Sequence, residues 1–262
     1  MQQIDQTALL TQLLPIARQA GDAIMAVYRA AEIDSQQKAD QSPVTQADLA
    51  AHNILLQQLR PLIPACLVVS EEDEASQQHR CNESCFWLID PLDGTKEFIA
   101  RNGEFTVNIA LIEQGRSVLG VVYAPAIDCM YWGGPGIGAF RSIGAITSTI
   151  QVDGDNIDGA CRVVASRNHL DTETQIFINR LGLVTLLQAG SSLKFCRVAE
   201  GAADIYPRLA PTCEWDTAAA QAILEGAGGA VLDLQGQPLR YGKPEVLNPS
   251  FIAVRDITLI PA

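Results

Sequence analysis

The apolar run Phe86-Trp87-Leu88-Ile89 ends in Asp90-Pro91-Leu92-Asp93-Gly94-Thr95, and no other segment narrows the fold as far. Four large apolar residues in a row read as a strand covered on both faces, so the chain must supply a layer above it and a layer below it. Such a strand carries Asp90 to its C-terminal end, where Pro91 and Gly94 turn the chain sharply. Asp93 can then fold back beside Asp90. Two carboxylates sharing one space suit Mg²⁺, which prefers an octahedron of oxygens and keeps several waters. Gly94 and Thr95 predict the start of a helical turn, whose free N–H groups favour a phosphate. The competing reading is an ordinary Asp-Gly turn.

The layers needed around this strand are present in the sequence. Leu9, Leu10, Leu13, Ala17, Ala20, Ile24 and Val27 recur at helical spacing, with Thr7 as the expected cap and Pro15 as an expected kink. A second amphipathic helix is predicted from Gln46 to Arg60, stopped by Pro61 and Pro64. Cys66 to Val69 reads as a short buried strand. The segments Thr106 to Ile112 and Val118 to Tyr123 flank a hairpin turn, and Met130 to Trp132 and Gly138 to Phe140 extend a meander. Polar, Gly-rich sequence from Gln151 to Gly159 marks a lobe boundary, giving an α+β lobe over 1–152 and an α/β lobe over 153–262. In the second lobe strands (Val163, Val184, Ile205, Val231, Ile252) alternate with helices (Thr172 to Leu181, Leu193 to Glu200, Thr217 to Glu225). This rhythm predicts a mainly parallel sheet.

Composition sets a problem. The chain of 262 residues carries a net charge of −12, which argues against nucleic acid as a partner because that binding depends on Lys and Arg. A phosphate ester would need something local to reverse the field, and metal ions can do so. No apolar run is long enough to span a bilayer, and the first residues lack the pattern of a signal peptide, so a cytoplasmic enzyme is expected. The seven cysteines show no metal-ligand spacing and read as reduced, mostly buried thiols.

Three further acidic segments could join Asp90 and Asp93. Glu71-Glu72-Asp73-Glu74 follows the strand ending at Ser70, with Glu71 best placed to point inward. Thr45-x-x-Asp48 is helix-capping chemistry, and Asp48 could also polarise the Thr95 hydroxyl toward a water. Asp216, after Trp215, reads as the N-cap of an Ala-rich helix, with one carboxylate oxygen left over. Ser191-Ser192-Leu193-Lys194 and Tyr206-Pro207-Arg208 bring two cations that could receive a second phosphate. The three histidines form no ligand spacing, and no activated nucleophile is visible.

Ser42 to Asp48, Ser70 to Asp73, Trp87 to Phe98, Asn102 to Leu111, Gly190 to Cys196 and Trp215 to Ala219, in that order, resemble the inositol monophosphatase superfamily of Mg²⁺-dependent, lithium-sensitive phosphatases. Lys96-Glu97-Phe98 and the Ser-Ser-x-Lys element are most similar to its bacterial 3′(2′),5′-bisphosphate nucleotidase branch. The resemblance implies an αβαβα sandwich and hydrolysis of 3′-phosphoadenosine 5′-phosphate to AMP and phosphate, clearing a by-product of sulfate assimilation. It implies that Glu71, Asp90, Asp93, Asp216 and the Leu92 carbonyl hold two or three Mg²⁺ ions. Asp48 and Thr95 would activate the water, and Gly94 and Thr95 would bind the scissile phosphate. Substrate would also meet Glu71, Leu92, Asp93, Asp216, Ser191, Lys194 and Arg208. Two ions about 4 Å apart could clamp the attacking and leaving oxygens. Members of this branch imply a cytoplasmic enzyme or one peripheral at the inner membrane's cytoplasmic face, and a monomer or homodimer is expected. The alternatives are a phosphatase for inositol monophosphate or a related sugar phosphate, and a non-catalytic Mg²⁺ or nucleotide sensor.

Overall fold

In the computed structural model, which describes residues 5–30, 35–37, 43–153, 159–165 and 171–261, the chain opens on helix α1 (Gln6–Tyr28). Ser42, His169 and the middle of the expected lobe boundary lie outside those residues. The α1 cap is Asp5, which accepts the Ala8 N–H at 3.0 Å, and not Thr7, because the helix has already begun there. A short antiparallel pair, β1 (Ser35–Gln37) and β2 (Pro43–Thr45), leads into α2 (Gln46–Leu59). Next come β3 (Leu67–Ser70), α3 (Glu74–His79), β4 (Cys85–Asp93), α4 (Thr95–Ile99), β5 (Thr106–Glu113) and β6 (Arg116–Ala124). The meander closes with β7 (Cys129–Gly134), β8 (Gly138–Ile143) and β9 (Ile146–Ile150). Strands β3 to β9 form one seven-stranded sheet in chain order, with β3 and β4 parallel and the remaining pairs antiparallel.

Side chains alternate between two cores on this sheet. Trp87 and Ile89 of β4, with Val107, Ile109 and Leu111 of β5, pack with Leu13, Ile24 and Leu55 of α1 and α2. Phe86, Leu88, Ala110 and Ile112 point the other way, into a core shared with the second half of the chain. Each of the large β4 side chains contributes about 1.5–3 kcal/mol on burial. That anchorage holds the strand although it ends in like charges.

The second half supplies β10 (Cys161–Ala165), α5 (Thr172–Arg180), β11 (Val184–Gln188), α6 (Leu193–Ala199), β12 (Ile205–Arg208), α7 (Ala218–Gly226), β13 (Ala230–Asp233) and β14 (Phe251–Val254). Helices α6 and α7 pack between the two sheets, and α5 covers the far face of the second. The layers therefore run αβαβα. Gly120 of β6 is required by this packing, since a Cβ there would collide with the Ala219 backbone of α7.

The second sheet, ordered β11-β10-β12-β14-β13, is mainly parallel in strand direction, as expected, but β14 runs against the other four. Strand β10 runs parallel to β11 and β12, but β14 is antiparallel to both β12 and β13. Strand β13 returns to β14 without a crossover helix, which a parallel pairing would need. The expectation of uniformly reduced thiols fails. Cys66 and Cys85 form a disulfide with Cα atoms 5.4 Å apart, because Leu67 pairs with Phe86 in register and so brings their predecessors side by side. Among the described residues no helix is long and apolar enough to cross a membrane.

Candidate active site

The site starts where α2 starts. Asp48 Oδ2 accepts the Thr45 N–H at 2.8 Å and the Thr45 hydroxyl at 2.6 Å, the capping box expected of Thr45-x-x-Asp48. The other oxygen, Oδ1, accepts the Thr95 hydroxyl at 3.2 Å. One carboxylate thus caps a helix and holds Thr95. Burial raises the Asp48 pKa, against the opposing hydrogen bonds from Thr45 and Thr95.

Thr95 opens α4, and its hydroxyl also lies 3.3 Å from the Leu92 carbonyl. Gly94 before it stands at φ +92°, in the left-handed region, and a Cβ there would collide with the Ser191 hydroxyl. Glycine is needed on both counts. Just upstream, the β4–β5 register shifts between Asp90 and Asp93, a bulge that places both carboxylates at the same strand end. Asp90 Oδ1 accepts the Leu92 N–H at 3.0 Å.

Asp216 arrives from the other half of the chain. It ends a single 3₁₀ turn, Glu214–Asp216, and its Oδ2 accepts the Cys213 N–H at 2.7 Å. The N-cap of α7 is Thr217, not Asp216, because this turn intervenes before the helix. Asp90, Asp93 and Asp216 bring ligand oxygens within 4.8 Å of one another. Glu71, directly after β3, shares a hydrogen bond with Asp90 and adds its charge to the field at Asp90 and Asp216. Burial, then the charges of Glu71, Asp93 and Asp216, pushes the Asp90 pKa well above the ordinary carboxylate range. Burial, then Asp93 and Glu71, does the same to Asp216, and Arg208 opposes this without reversing it.

A cleft of about 170 Å³ is lined by Asp93, Gly94, Ser191, Lys194, Arg208 and Asp216, among others. Lys194 is not a surface cation. It is buried, donates to the Ser191 carbonyl at 2.6 Å, and lies 5.5 Å from the Tyr206 ring. Burial lowers its pKa to about 8 although Asp93 pulls the other way. Arg208 donates to the Pro211 carbonyl, while its buried Nε has no hydrogen-bond partner among the described residues. The Ser191 hydroxyl sits 2.8 Å from the carbonyls of Asp93 and Glu104, so it fastens two loops rather than facing the cleft with a spare proton.

The donors of this cluster fit a hard divalent cation. They are oxygens only, and their raised pKa values register a repulsion that bound positive charge would relieve. The pattern that defines the inositol monophosphatase family matches residues 5–258. The chain belongs to this family. It is 50% identical to the 3′(2′),5′-bisphosphate nucleotidase CysQ of Salmonella typhimurium over 93% of this chain and 98% of that one. The corresponding protein of Escherichia coli K12 is 49% identical, with the same coverage. Among solved structures, CysQ of Bacteroides thetaiotaomicron superposes with a TM-score of 0.85 at 39% identity, covering 96% of this chain and 98% of that one. An IMPase of Thermotoga maritima gives 0.76 at 25% identity, over 95% and 92%.

In this family member the structure also gives site roles to residues that the sequence showed only as parts of longer motifs. Asn108 and Thr106 of β5 and Ser192 before α6 surround the Asp93 carboxylate. A buried asparagine between the apolar Val107 and Ile109 was the available signal. Arg80 and Glu214 form a buried ion pair beside the Asp216 turn, and nothing in the sequence links residues 134 positions apart.

Proposed function

We propose that this chain is a Mg²⁺-dependent 3′(2′),5′-bisphosphate nucleotidase that hydrolyses 3′-phosphoadenosine 5′-phosphate to AMP and phosphate. The observation that carries the reading is one cleft lined both by the carboxylates Asp93 and Asp216 and by the cations Lys194 and Arg208. A substrate with two phosphates matches such a cleft, one phosphate for each kind of lining. Its CysQ relatives are named 3′(2′),5′-bisphosphate nucleotidases.

Asp90, Asp93, Asp216, Glu71 and the Leu92 carbonyl would hold two or three Mg²⁺ ions. When bound, the ions supply positive charge for the scissile phosphate and lower the pKa of a coordinated water. Asp48 draws the single proton of the Thr95 hydroxyl onto its Oδ1, leaving the Thr95 oxygen to accept from the attacking water. Gly94 and Thr95 offer N–H groups of the α4 start to the phosphate oxygens, although a helix this short adds little dipole. The water oxygen bonds to phosphorus, the bond to the 3′-oxygen breaks, and that oxygen leaves with a proton. Lys194 Nζ and Arg208 Nε, which has no partner among the described residues, receive the second phosphate, which positions the nucleotide. Released into the cytoplasm, the product would be AMP.

The deciding experiment is phosphate release with 3′-phosphoadenosine 5′-phosphate, inositol 1-phosphate and 3′-AMP in parallel, in Mg²⁺ and then with added Li⁺. The reading expects strong preference for the bisphosphate and inhibition by Li⁺. Equal or better turnover of inositol 1-phosphate would overturn the substrate, and absence of Mg²⁺-dependent turnover of any of the three would overturn the enzyme.

A further inference from the structure

We infer that Asn108 and Ser192 are positioning residues for Asp93: they occupy one carboxylate oxygen, leave the other for the cation, and tie Asp93 to the Asp216 turn. The inference rests on the metal-site reading above and adds to it two residues that touch neither metal nor substrate.

Every described hydrogen bond to the Asp93 carboxylate ends on Oδ2. Ser192 N–H donates at 2.7 Å, the Ser192 hydroxyl lies at 2.8 Å and Asn108 Nδ2 at 3.2 Å, while Thr106 Oγ1, at 3.4 Å, has its one proton closer to Asn108. Proton counting orders the network. The Asn108 carboxamide has two N–H protons, one for Asp93 Oδ2 and one for the Ser192 oxygen at 2.9 Å. Its Oδ1 accepts the Thr106 hydroxyl at 3.0 Å. The Ser192 hydroxyl then holds one proton, within reach of Asp93 Oδ2 and of the Asp216 carbonyl at 2.9 Å. A carboxylate is the stronger acceptor, so this proton serves Asp93 Oδ2 first, with the Asp216 carbonyl close enough to share it.

Asn108 is 1% exposed and sits between two residues of an apolar core. A buried carboxamide is costly unless its polar atoms are paired. Among the described residues the carboxamide meets Asp93, Ser192 and Thr106, so its hydrogen bonds are spent within this group. Pinning Oδ2 also stops the carboxylate rotating about its own axis or swinging away when no cation is bound. The anchors on Oδ2 come from two elements, β5 and the segment before α6, and the Ser192 hydroxyl reaches on to the 3₁₀ turn that carries Asp216. The contributions of the two sheets are thereby locked together at one oxygen.

Partners that orient a ligand in this way typically set metal affinity by about 10–100-fold. The test is titration of the metal-free chain with Mn²⁺, followed by the paramagnetic signal of the free ion. Asn108→Ala and Ser192→Ala should each weaken Mn²⁺ binding by about 10–100-fold while unfolding stays cooperative. Combined with Asp93→Asn, either change should add no further loss, because both act through that carboxylate. In the assay, the Mg²⁺ needed for half-maximal rate should rise with far less change in substrate KM. Unchanged Mn²⁺ affinity in folded variants overturns the inference, as do losses that simply add to that of Asp93→Asn. Failure of both single variants to fold overturns it too, since the two groups would then serve the fold and not the ligand. A wild-type chain that binds no Mn²⁺, or an Asp93→Asn variant that binds it equally well, shows instead that the metal-site reading itself has failed.

Discussion

Glu214 and Asp216 stand two residues apart in one 3₁₀ turn, yet their carboxylates live in opposite surroundings. Glu214 is fully buried and accepts from Arg80 Nε, from Lys243 Nζ, and from the N–H groups of Gly242 and Lys243. Asp216 faces Asp93 and Asp90, and its pKa is driven upward by burial and by like charge. The first carboxylate joins three segments of the fold, and the chain supplies its counter-charge. The second is left in a cluster of acids whose repulsion the fold tolerates. The contrast distinguishes a structural acid from one kept for a ligand: where the protein can pair a buried carboxylate it does so, and where it withholds the cation, something from solution is expected to provide it.

The largest effect should come from the unpaired side. Asp93→Asn is expected to lower kcat/KM by about 10³-fold or more, on the scale of losing an essential catalytic group, with the fold intact by circular dichroism. Near wild-type Mg²⁺-dependent turnover would erase the contrast. On the paired side, Arg80→Leu strands Glu214 with only part of its counter-charge. Removing one member of a buried pair costs about 3–5 kcal/mol, so the denaturant midpoint should fall clearly and Mg²⁺ should not restore it. Lys194→Met probes the cationic lining of the cleft. Hydrogen bonds to a charged group are worth about 1.5–3 kcal/mol, so kcat/KM for the bisphosphate should drop by about 10–100-fold, with little change for a substrate bearing one phosphate.

The smallest effect is in pH. Asp90 and Asp216 have raised pKa values in the metal-free fold, so between the ordinary carboxylate range and those raised values the folded chain binds more protons than the unfolded one. Stability of the metal-free chain should therefore fall as pH rises through that window, by at most about 1.4 kcal/mol per pH unit for each carboxyl. Saturating Mg²⁺ should flatten the slope, and an identical slope with and without Mg²⁺ would count against relief of repulsion by the ion. Thermal melts across pH, with and without Mg²⁺, measure it.

What could be read ahead of the structure was what is local. The capping box at Thr45 and Asp48, the strand-to-turn break at Asp90 to Thr95 and the two long helices all depend on residues within a few positions of each other. The layer order and the gathering of Asp48, Asp93 and Asp216 into one region followed from family resemblance, because no short-range rule brings Asp93 within reach of Asp216. The errors have the same origin. Asp216 reads as a helix cap along the chain because the single 3₁₀ turn Glu214–Asp216 ahead of α7 leaves no local mark in the sequence. The mainly parallel reading of the second sheet missed only β14, whose partners are fixed by pairing across the sheet and not by alternation along the chain. The Cys66–Cys85 pairing needed the β3–β4 register, and Asn108 needed its neighbour 84 residues away.

The shared duty of Asp48 changes how relatives of this chain should be read. Its Oδ2 fastens the first turn of α2 whether or not any reaction takes place. A descendant that had lost its chemistry would still be selected to keep this aspartate for solubility and abundance. Thr95 carries no such structural obligation beyond its contacts with Asp48 and the Leu92 carbonyl. In a mutational scan sorted separately for abundance and for turnover, Asp48 should appear in both lists and Thr95 mainly in the second. Of the two, the threonine is the better witness to a living enzyme.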